Sequence, residues 1–457
     1  MKKKCLIVSF DFTKPDYPNT SYSIASILAK FNDADIVDIE PYSYNLNNFL
    51  STPKKEIEAI VRKEFQEKYL GIINDYSFIA LATYAWSENL VNELIKIIRP
   101  KFDGKIILGG YEITAWSNEK LFQIYPDVDF YIKGYAEKAL EKIFKNETNN
   151  IILNEKIDKD DIVSPYLSSI LPLNTKKIHW ESKRGCPYHC DYCEHGAVAD
   201  KGSIIRISND KLEKEIELFK EYNIQEINVL DATFLINKKD ITTLEKLLTI
   251  PHCKICLQMH FTPVKGNIGK EFLDICQKHR DRISLEFGLQ TIHEEEMNML
   301  KRKNILNHVE NVISQLNDNE INYSISIIFG IPSQTVESFR QTIEFIKNNN
   351  CEKFCAFPLQ LPKNSKMRER MDELKIKEFQ GEHFSLLFVS ECYSFINSEW
   401  QEMYRIVESY GDKPPFCGDP IEFTKPIPEK IVYNYLRGGI HCKIRKEQKI
   451  GRSIFSL

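Results

Sequence analysis

The sequence predicts an α/β protein with two parallel-sheet domains in series, a doubly wound sheet and then a partial (β/α)6 TIM-like barrel, closed by a small, mostly helical C-terminal cap. Three observations predict it. Short β-branched runs alternate with helical stretches up to about residue 145, a polar stretch interrupts them, and a second βα series runs to about residue 365. At 457 residues, 42% hydrophobic and 28% charged, the chain can bury two or three ordinary globular cores.

In the first domain (residues 1–145), strands are expected over residues 5–10, 35–39, 78–83, 105–110 and 130–134, with helices over 22–31, 89–98 and 136–144. Repeated βα units imply a parallel sheet with helices on both faces. Ligands in such sheets lie beyond the carboxyl ends of the strands, where glycines let the backbone approach them. Gly109, Gly110 and Gly134 occupy those ends, although each also suits a plain β–α turn. Residues 146–176 carry Asn146, Thr148, Asn149, Asn150, a Lys/Asp cluster and Ser164-Pro-Tyr, the composition of a linker.

The second domain (residues 177–365) has strands expected over 177–181, 226–230, 255–261, 283–289, 323–329 and 354–359, and helices over 210–222, 239–248 and 335–348. Six units suggest an open barrel, whose chemistry belongs at the carboxyl end of the strands. The cap (residues 366–457) reads as helical over 368–379 and 400–409. It ends in a basic tail, His441 to Arg452, expected to be solvated.

A net charge of −4 creates no field that would draw the protein to nucleic acid. The basic residues and short apolar run at the start suit a first strand better than a signal segment, and no run approaches the roughly 18–20 apolar residues of a membrane span. A cytoplasmic location away from membranes is expected. Twelve cysteines in such a chain argue against a disulfide framework. Cys253 and Cys256 form a C-x2-C without a second pair, which reads as packing.

Cys186, Cys190 and Cys193 are different. Their C-x3-C-x2-C spacing lets three thiolates hold three irons of a [4Fe–4S] cluster and leave the fourth iron open for ligand chemistry. Structural zinc, completed by His189 or His195, is the competing reading; the loop position after a strand and the lack of a second cysteine hairpin argue against it. Tyr192, beside the last cysteine, suits packing against a planar adenine.

With this loop the chain resembles the radical S-adenosylmethionine (SAM) superfamily. The resemblance continues through Asp231-Ala-Thr-Phe234, Leu285-Glu-Phe-Gly-Leu-Gln290, Phe329-Gly-Ile-Pro332 and Phe357-Pro-Leu-Gln-Leu-Pro362. Residues 1–145 resemble the cobalamin-binding-type (Rossmann-like) domain of one subgroup, through Leu108-Gly-Gly-Tyr-Glu112 and the stretch from Asp129 to Glu137. The resemblance implies a [4Fe–4S] cluster on the three cysteines and reductive cleavage of SAM to a 5′-deoxyadenosyl radical that attacks an unactivated C–H bond. It implies SAM contacts from Tyr192, from Asp231 to the ammonium, from Glu286 and Gln290 to the ribose, and from Gly330, Ile331 and Pro332 to the adenine. Cobalamin is an optional further cofactor, at Gly109, Gly110 and Gly134. No histidine precedes His179, so this domain offers cobalt no imidazole ligand from below.

The reaction implied first is cobalamin-assisted methylation, or a related modification, of a peptide or natural-product intermediate, with flavodoxin or ferredoxin as electron donor. The alternative is cobalamin-independent peptide epimerisation in which Cys392 or Cys417 returns the hydrogen. A redox or light sensor is a third reading, opposed by the intact set of SAM-pocket residues.

Overall fold

The structure is a computed structural model that describes residues 2–13, 16–32, 35–49, 52–195, 203–380, 384–411 and 440–444. Cys417 lies outside the described residues. The N-terminal domain is a six-stranded parallel sheet in the order β2-β1-β3-β4-β5-β6. Its strands are β1 (Lys3–Asp11), β2 (Val37–Asn45), β3 (Phe78–Ala82), β4 (Lys105–Gly109), β5 (Phe130–Ile132) and β6 (Ile152–Leu153).

Side chains alternate across this sheet with the strand period of two. Cys5, Ile7, Ala80, Ile107 and Ile132 face the helices Tyr22–Phe31 and Glu137–Lys145. Leu6, Val8, Ile79, Leu81, Ile106 and Leu108 point to the opposite side, where the helices Lys54–Phe65 and Glu88–Ile98 bury Val61 and Leu94. Coverage on both faces makes β1 a nearly continuous apolar run, as central parallel strands are.

Residues 146–176 do more than link the domains. They supply the edge strand β6, and Ile157, Ile162, Tyr166, Leu171 and Leu173 are buried. The surrounding polar residues hide this apolar content from a composition reading.

The second sheet has seven strands in the order β17-β14-β13-β12-β11-β10-β7, with β17 (Ile440–Lys443) at one edge. Six are parallel: β7 (Lys177–Trp180), β10 (Glu226–Val229), β11 (Lys254–Met259), β12 (Ile283–Gln290), β13 (Asn322–Phe329) and β14 (Lys353–Pro358). A two-strand antiparallel ribbon, β8 (Lys183–Arg184) with β9 (Ile205–Arg206), stands at the head of β7.

Two expectations for the cap are corrected. The helix expected over 368–379 is a single turn, Lys366–Glu369, after which β15 (Lys377–Gln380) pairs with β16 (Leu387–Glu391). The Arg368 guanidinium on this turn binds the Leu361 carbonyl and Glu378, joining the turn to the start of the β15 ribbon. The start of the supposed solvated tail is β17 (Ile440–Lys443), antiparallel to β14, with Ile440 and Cys442 buried in alternation. The helix Asn397–Tyr410 agrees with expectation. Among the described residues no helix is long and apolar enough to cross a membrane.

Candidate active site

The cysteine loop is carried on a charged base. Asp231, at the end of β10, is fully buried and accepts from the Ser182 amide at 2.8 Å, the Ser182 hydroxyl at 2.6 Å, the Lys183 amide at 3.2 Å and Lys183 Nζ at 2.8 Å. Lys183 Nζ also donates to Asp240 at 2.9 Å and to the Phe234 carbonyl at 2.7 Å. A buried ion pair is tolerable only with its hydrogen bonds satisfied, and here they are. This corrects the expected role of Asp231: its oxygens bind the strand that feeds the loop and are not open to a ligand ammonium.

Cys186, Cys190 and Cys193 are half-buried and unbridged. The Cys193 amide donates to the Cys190 carbonyl at 3.2 Å, which closes the end of the loop. Burial pushes the Cys186 thiol up and the Cys193 thiol up to about 12. Burial thus disfavours the thiolate form at these two positions, a cost that a bound cation would offset. The Tyr188 ring stacks on His260 with centroids 4.1 Å apart. Burial, then the nearby Arg302 charge, lower His260 to about 3, so this support is a neutral imidazole.

Two residues not foreseen complete the loop's setting. Arg302 Nη1 lies 3.8 Å from Cys190 Sγ and 3.2 Å from the Tyr192 hydroxyl, and Nη2 donates to the Gly288 carbonyl at 2.5 Å. Its buried Nε–H has no partner among the described residues. Asp191 accepts from the amides of Lys366 at 2.9 Å and Met367 at 2.8 Å, tying the loop to the cap. In the sequence, Arg302 sits between Lys301 and Lys303 and reads as solvated charge.

A cavity of about 270 Å³ opens beside the loop, lined among others by Tyr192, Glu286, Gln290, Arg302, Ser326 and Phe357. Ser326 donates to Glu286 Oε1 at 2.7 Å, holding that carboxylate on the wall. Gln290 reaches the wall with φ 69° at a register shift between β12 and β13. Gly330, Ile331 and Pro332 do not reach this cavity. The Gly330 amide donates to Gln334 Oε1 at 2.7 Å, the turn packs toward Trp400, and β13 lines the cavity with Ile328 instead.

A second cavity of about 420 Å³ lies between the carboxyl ends of the N-terminal sheet and the base of the cysteine loop. Gly109, Gly110 and Gly134 all line it, together with Tyr84, Tyr111 and apolar side chains such as Ile107. A Cβ on Gly110, whose φ is 107°, would stand 2.3 Å from the Thr83 carbonyl oxygen, so only glycine fits. A Cβ on Gly109 would meet nothing closer than Ile132 at 3.8 Å, so its backbone is bare toward the cavity. His195, Ala232 and Gln258 belong to the walls of both cavities. Cys392 lines neither: it is buried in the cap with Sγ 3.1 Å from Ser394 Oγ, which gives its expected hydrogen-donor role no geometric support.

Residues 180–346 match the family model of the radical SAM superfamily, so the chain carries a radical SAM domain. The chain is 21% identical over 360 residues to the cobalamin-dependent radical SAM methyltransferase TokK of Streptomyces tokunonensis, covering 70% of this chain and 50% of TokK. It is 24% identical over 338 residues to the ribosomal protein uS12 methylthiotransferase RimO of Carboxydothermus hydrogenoformans, covering 71% of this chain and 74% of RimO. Among solved structures, the radical SAM methyltransferase TsrM of Kitasatospora setae, with tryptophan substrate and a SAM analogue bound, superposes with a TM-score of 0.63 at 12% identity, covering 88% of this chain and 89% of TsrM. That likeness is one of fold. The chain spans about half the length of TokK. The expected radical SAM resemblance and the α/β fold class hold. A radical SAM domain implies a [4Fe–4S] cluster and SAM, and the cation-seeking thiols beside an open polar cavity fit both.

Proposed function

We propose that the protein is a cobalamin-dependent radical SAM methyltransferase acting on a peptide or small natural-product intermediate. The observation that carries this reading is the common wall: His195, Ala232 and Gln258 stand between the cavity beside the cysteine loop and the glycine-rimmed cavity of the N-terminal sheet. Two ligands would therefore lie side by side, as transfer of a group between them requires. The names of TokK and TsrM support the same chemistry.

When bound, the cluster supplies the electron that splits SAM, and cobalamin supplies the methyl carrier. The chain's own residues hold and orient. Cys186, Cys190 and Cys193 would hold three of the irons, and the Arg302 guanidinium would offset thiolate charge at Cys190. Glu286 and Gln290 present polar groups to the ribose, and Tyr192 offers its ring to the adenine. Asp231 acts through Lys183 and Ser182, setting the height of the loop. The bare backbone at Gly109, on a rim shared with Gly110 and Gly134, would give a corrin room to approach, and a small acidic electron carrier such as flavodoxin or ferredoxin would deliver the electron.

The test is production with cobalamin available, anaerobic purification and cluster reconstitution, followed by turnover with a low-potential reductant. Stoichiometric cobalamin absorbance with formation of 5′-deoxyadenosine and S-adenosylhomocysteine is expected. Absence of cobalamin with solvent deuterium entering a peptide Cα would establish the epimerase instead. No 5′-deoxyadenosine under reduction would sink radical SAM activity altogether.

A further inference from the structure

Two carboxylates face the larger cavity with oxygens that the protein leaves unused. Glu137, the first residue of the helix Glu137–Lys145, is 3% exposed, and Glu181, just after β7, is 8% exposed. Both line the cavity between the domains. Arg184 lies between them: Nε donates to Glu181 Oε1 at 2.8 Å, Nη2 is 2.8 Å from the same oxygen, and Nη1 donates to Glu137 Oε1. The guanidinium is thereby shared between the two carboxylates, with its Cζ 5.3 Å from the centre of the Tyr135 ring. Among the described residues nothing donates to Oε2 of Glu137 or of Glu181. Neither is a sealed orphan, as Oε2 of Glu112 is.

The charge count leaves a remainder. Two carboxylates share one guanidinium, and Lys183, also on the cavity wall, is consumed by Asp231 and Asp240. The wall therefore carries two carboxyl groups to one guanidinium and, among the described residues, two acceptor oxygens without donors. A ligand that fills this cavity displaces water from these acceptors, and N–H groups on its rim replace the donors lost.

We infer that Glu137 and Glu181 form an acceptor wall that recognises its ligand through primary amide N–H groups, such as those on the rim of a corrin, and that rejects the same ligand when an amide there becomes a carboxylate. This rests on the cobalamin reading above. Arg184 acts as a positioning residue, holding both carboxylates toward the cavity while fixing the base of the cysteine loop to the N-terminal domain.

The experiment titrates cluster-reconstituted, cobalamin-free protein with hydroxocobalamin and with each of its monocarboxylic acid derivatives, in which one propionamide is hydrolysed, reading the corrin absorbance. At least one monoacid is expected to bind about tenfold more weakly than the parent, because it sets like charges side by side. In Glu181→Gln, whose amide keeps the size of the side chain and abolishes its charge, that discrimination is expected to fall below about threefold. Glu137→Gln carries the same expectation and serves if Glu181→Gln does not fold. Equal binding of the parent and all its monoacids by the unmodified protein overturns the inference while leaving the cobalamin reading standing. Failure of hydroxocobalamin itself to bind overturns both.

Discussion

The two cavities meet at His195, Ala232 and Gln258, yet they are built by opposite means. The one beside the cysteine loop is made of functional side chains: Glu286 held by Ser326, Gln290 turned at a register shift, and Arg302 braced by Gly288 and Cys190. The one between the domains is made largely by omission. Gly109 bares the backbone, Gly110 and Gly134 bring the chain close along the same rim, and the Arg184 guanidinium on the wall is paired with Glu137 and Glu181. A chamber of side chains is broken by removing one, and a chamber of bare backbone by adding one. The two should therefore fail independently and under different kinds of substitution.

The largest effect is expected at the thiols. Cys190→Ala leaves two ligands for a cluster that needs three, so bound iron and 5′-deoxyadenosine formation should both drop below detection. The thiol is half-buried and makes little core contact, so circular dichroism and the thermal midpoint should hardly move. Cobalamin affinity should stay within about twofold of the unmodified protein, since the other chamber is untouched. Full iron content in this variant would mean that the loop is not the cluster site.

Gly109→Leu makes the converse test. Its new Cβ meets only an ordinary contact at Ile132, so the side chain can be accommodated by the fold while it fills the space beyond β4. Cobalamin affinity is expected to fall on the order of 100-fold, with 5′-deoxyadenosine formation in the presence of SAM and reductant preserved. Loss of both together would show that the chambers are not separable. Gly110 is the wrong place for this test, because any side chain there strikes the Thr83 carbonyl.

The same contrast explains what was legible in the sequence. The six parallel barrel strands lie within one or two residues of their expected positions, because fully covered parallel strands are apolar runs that hydropathy finds directly. The three cysteines follow β7 and the three N-terminal glycines lie at or just after strand ends, while Glu286 and Gln290, expected from the family resemblance, line the cavity beside the loop. Asp231 was visible as a polar strand-end residue, but its donors, Ser182 and Lys183, are 49 and 48 residues away, and no local pattern announces that pairing. Gly330 to Pro332 failed for a similar reason: Trp400, from a distant helix, claims the turn. β6 and β17 were missed because each is a short edge strand in polar text, where the partner strand supplies the order. Arg302 carried no signal, since its role depends on being buried against a thiol that lies 112 residues away.

The smallest effect expected concerns the joint on which both chambers depend. Glu215, in the helix Asn209–Glu221, is buried beneath β7 and accepts from Trp180 Nε1 at 2.9 Å and from the Ser164 hydroxyl, so it joins the barrel to the segment that follows the N-terminal sheet. Burial raises its carboxyl from an ordinary 4.5 to about 7, against the lowering effect of its two donors. A carboxyl raised on folding binds its proton more tightly in the native state. Its contribution to stability is therefore complete below about pH 4.5 and is lost as pH rises through about 7, where a buried carboxylate must form. Glu215→Gln retains an acceptor for Trp180 and has no proton to lose. Relative to that variant, the thermal midpoint of the unmodified protein should fall by about 2–5 °C between pH 5 and pH 8. If the two midpoints run parallel across that range, Glu215 is not the titrating group. If instead they diverge while cobalamin affinity and 5′-deoxyadenosine formation both weaken at high pH, the joint holds the chambers in register, and their independence applies only to substitutions made inside them.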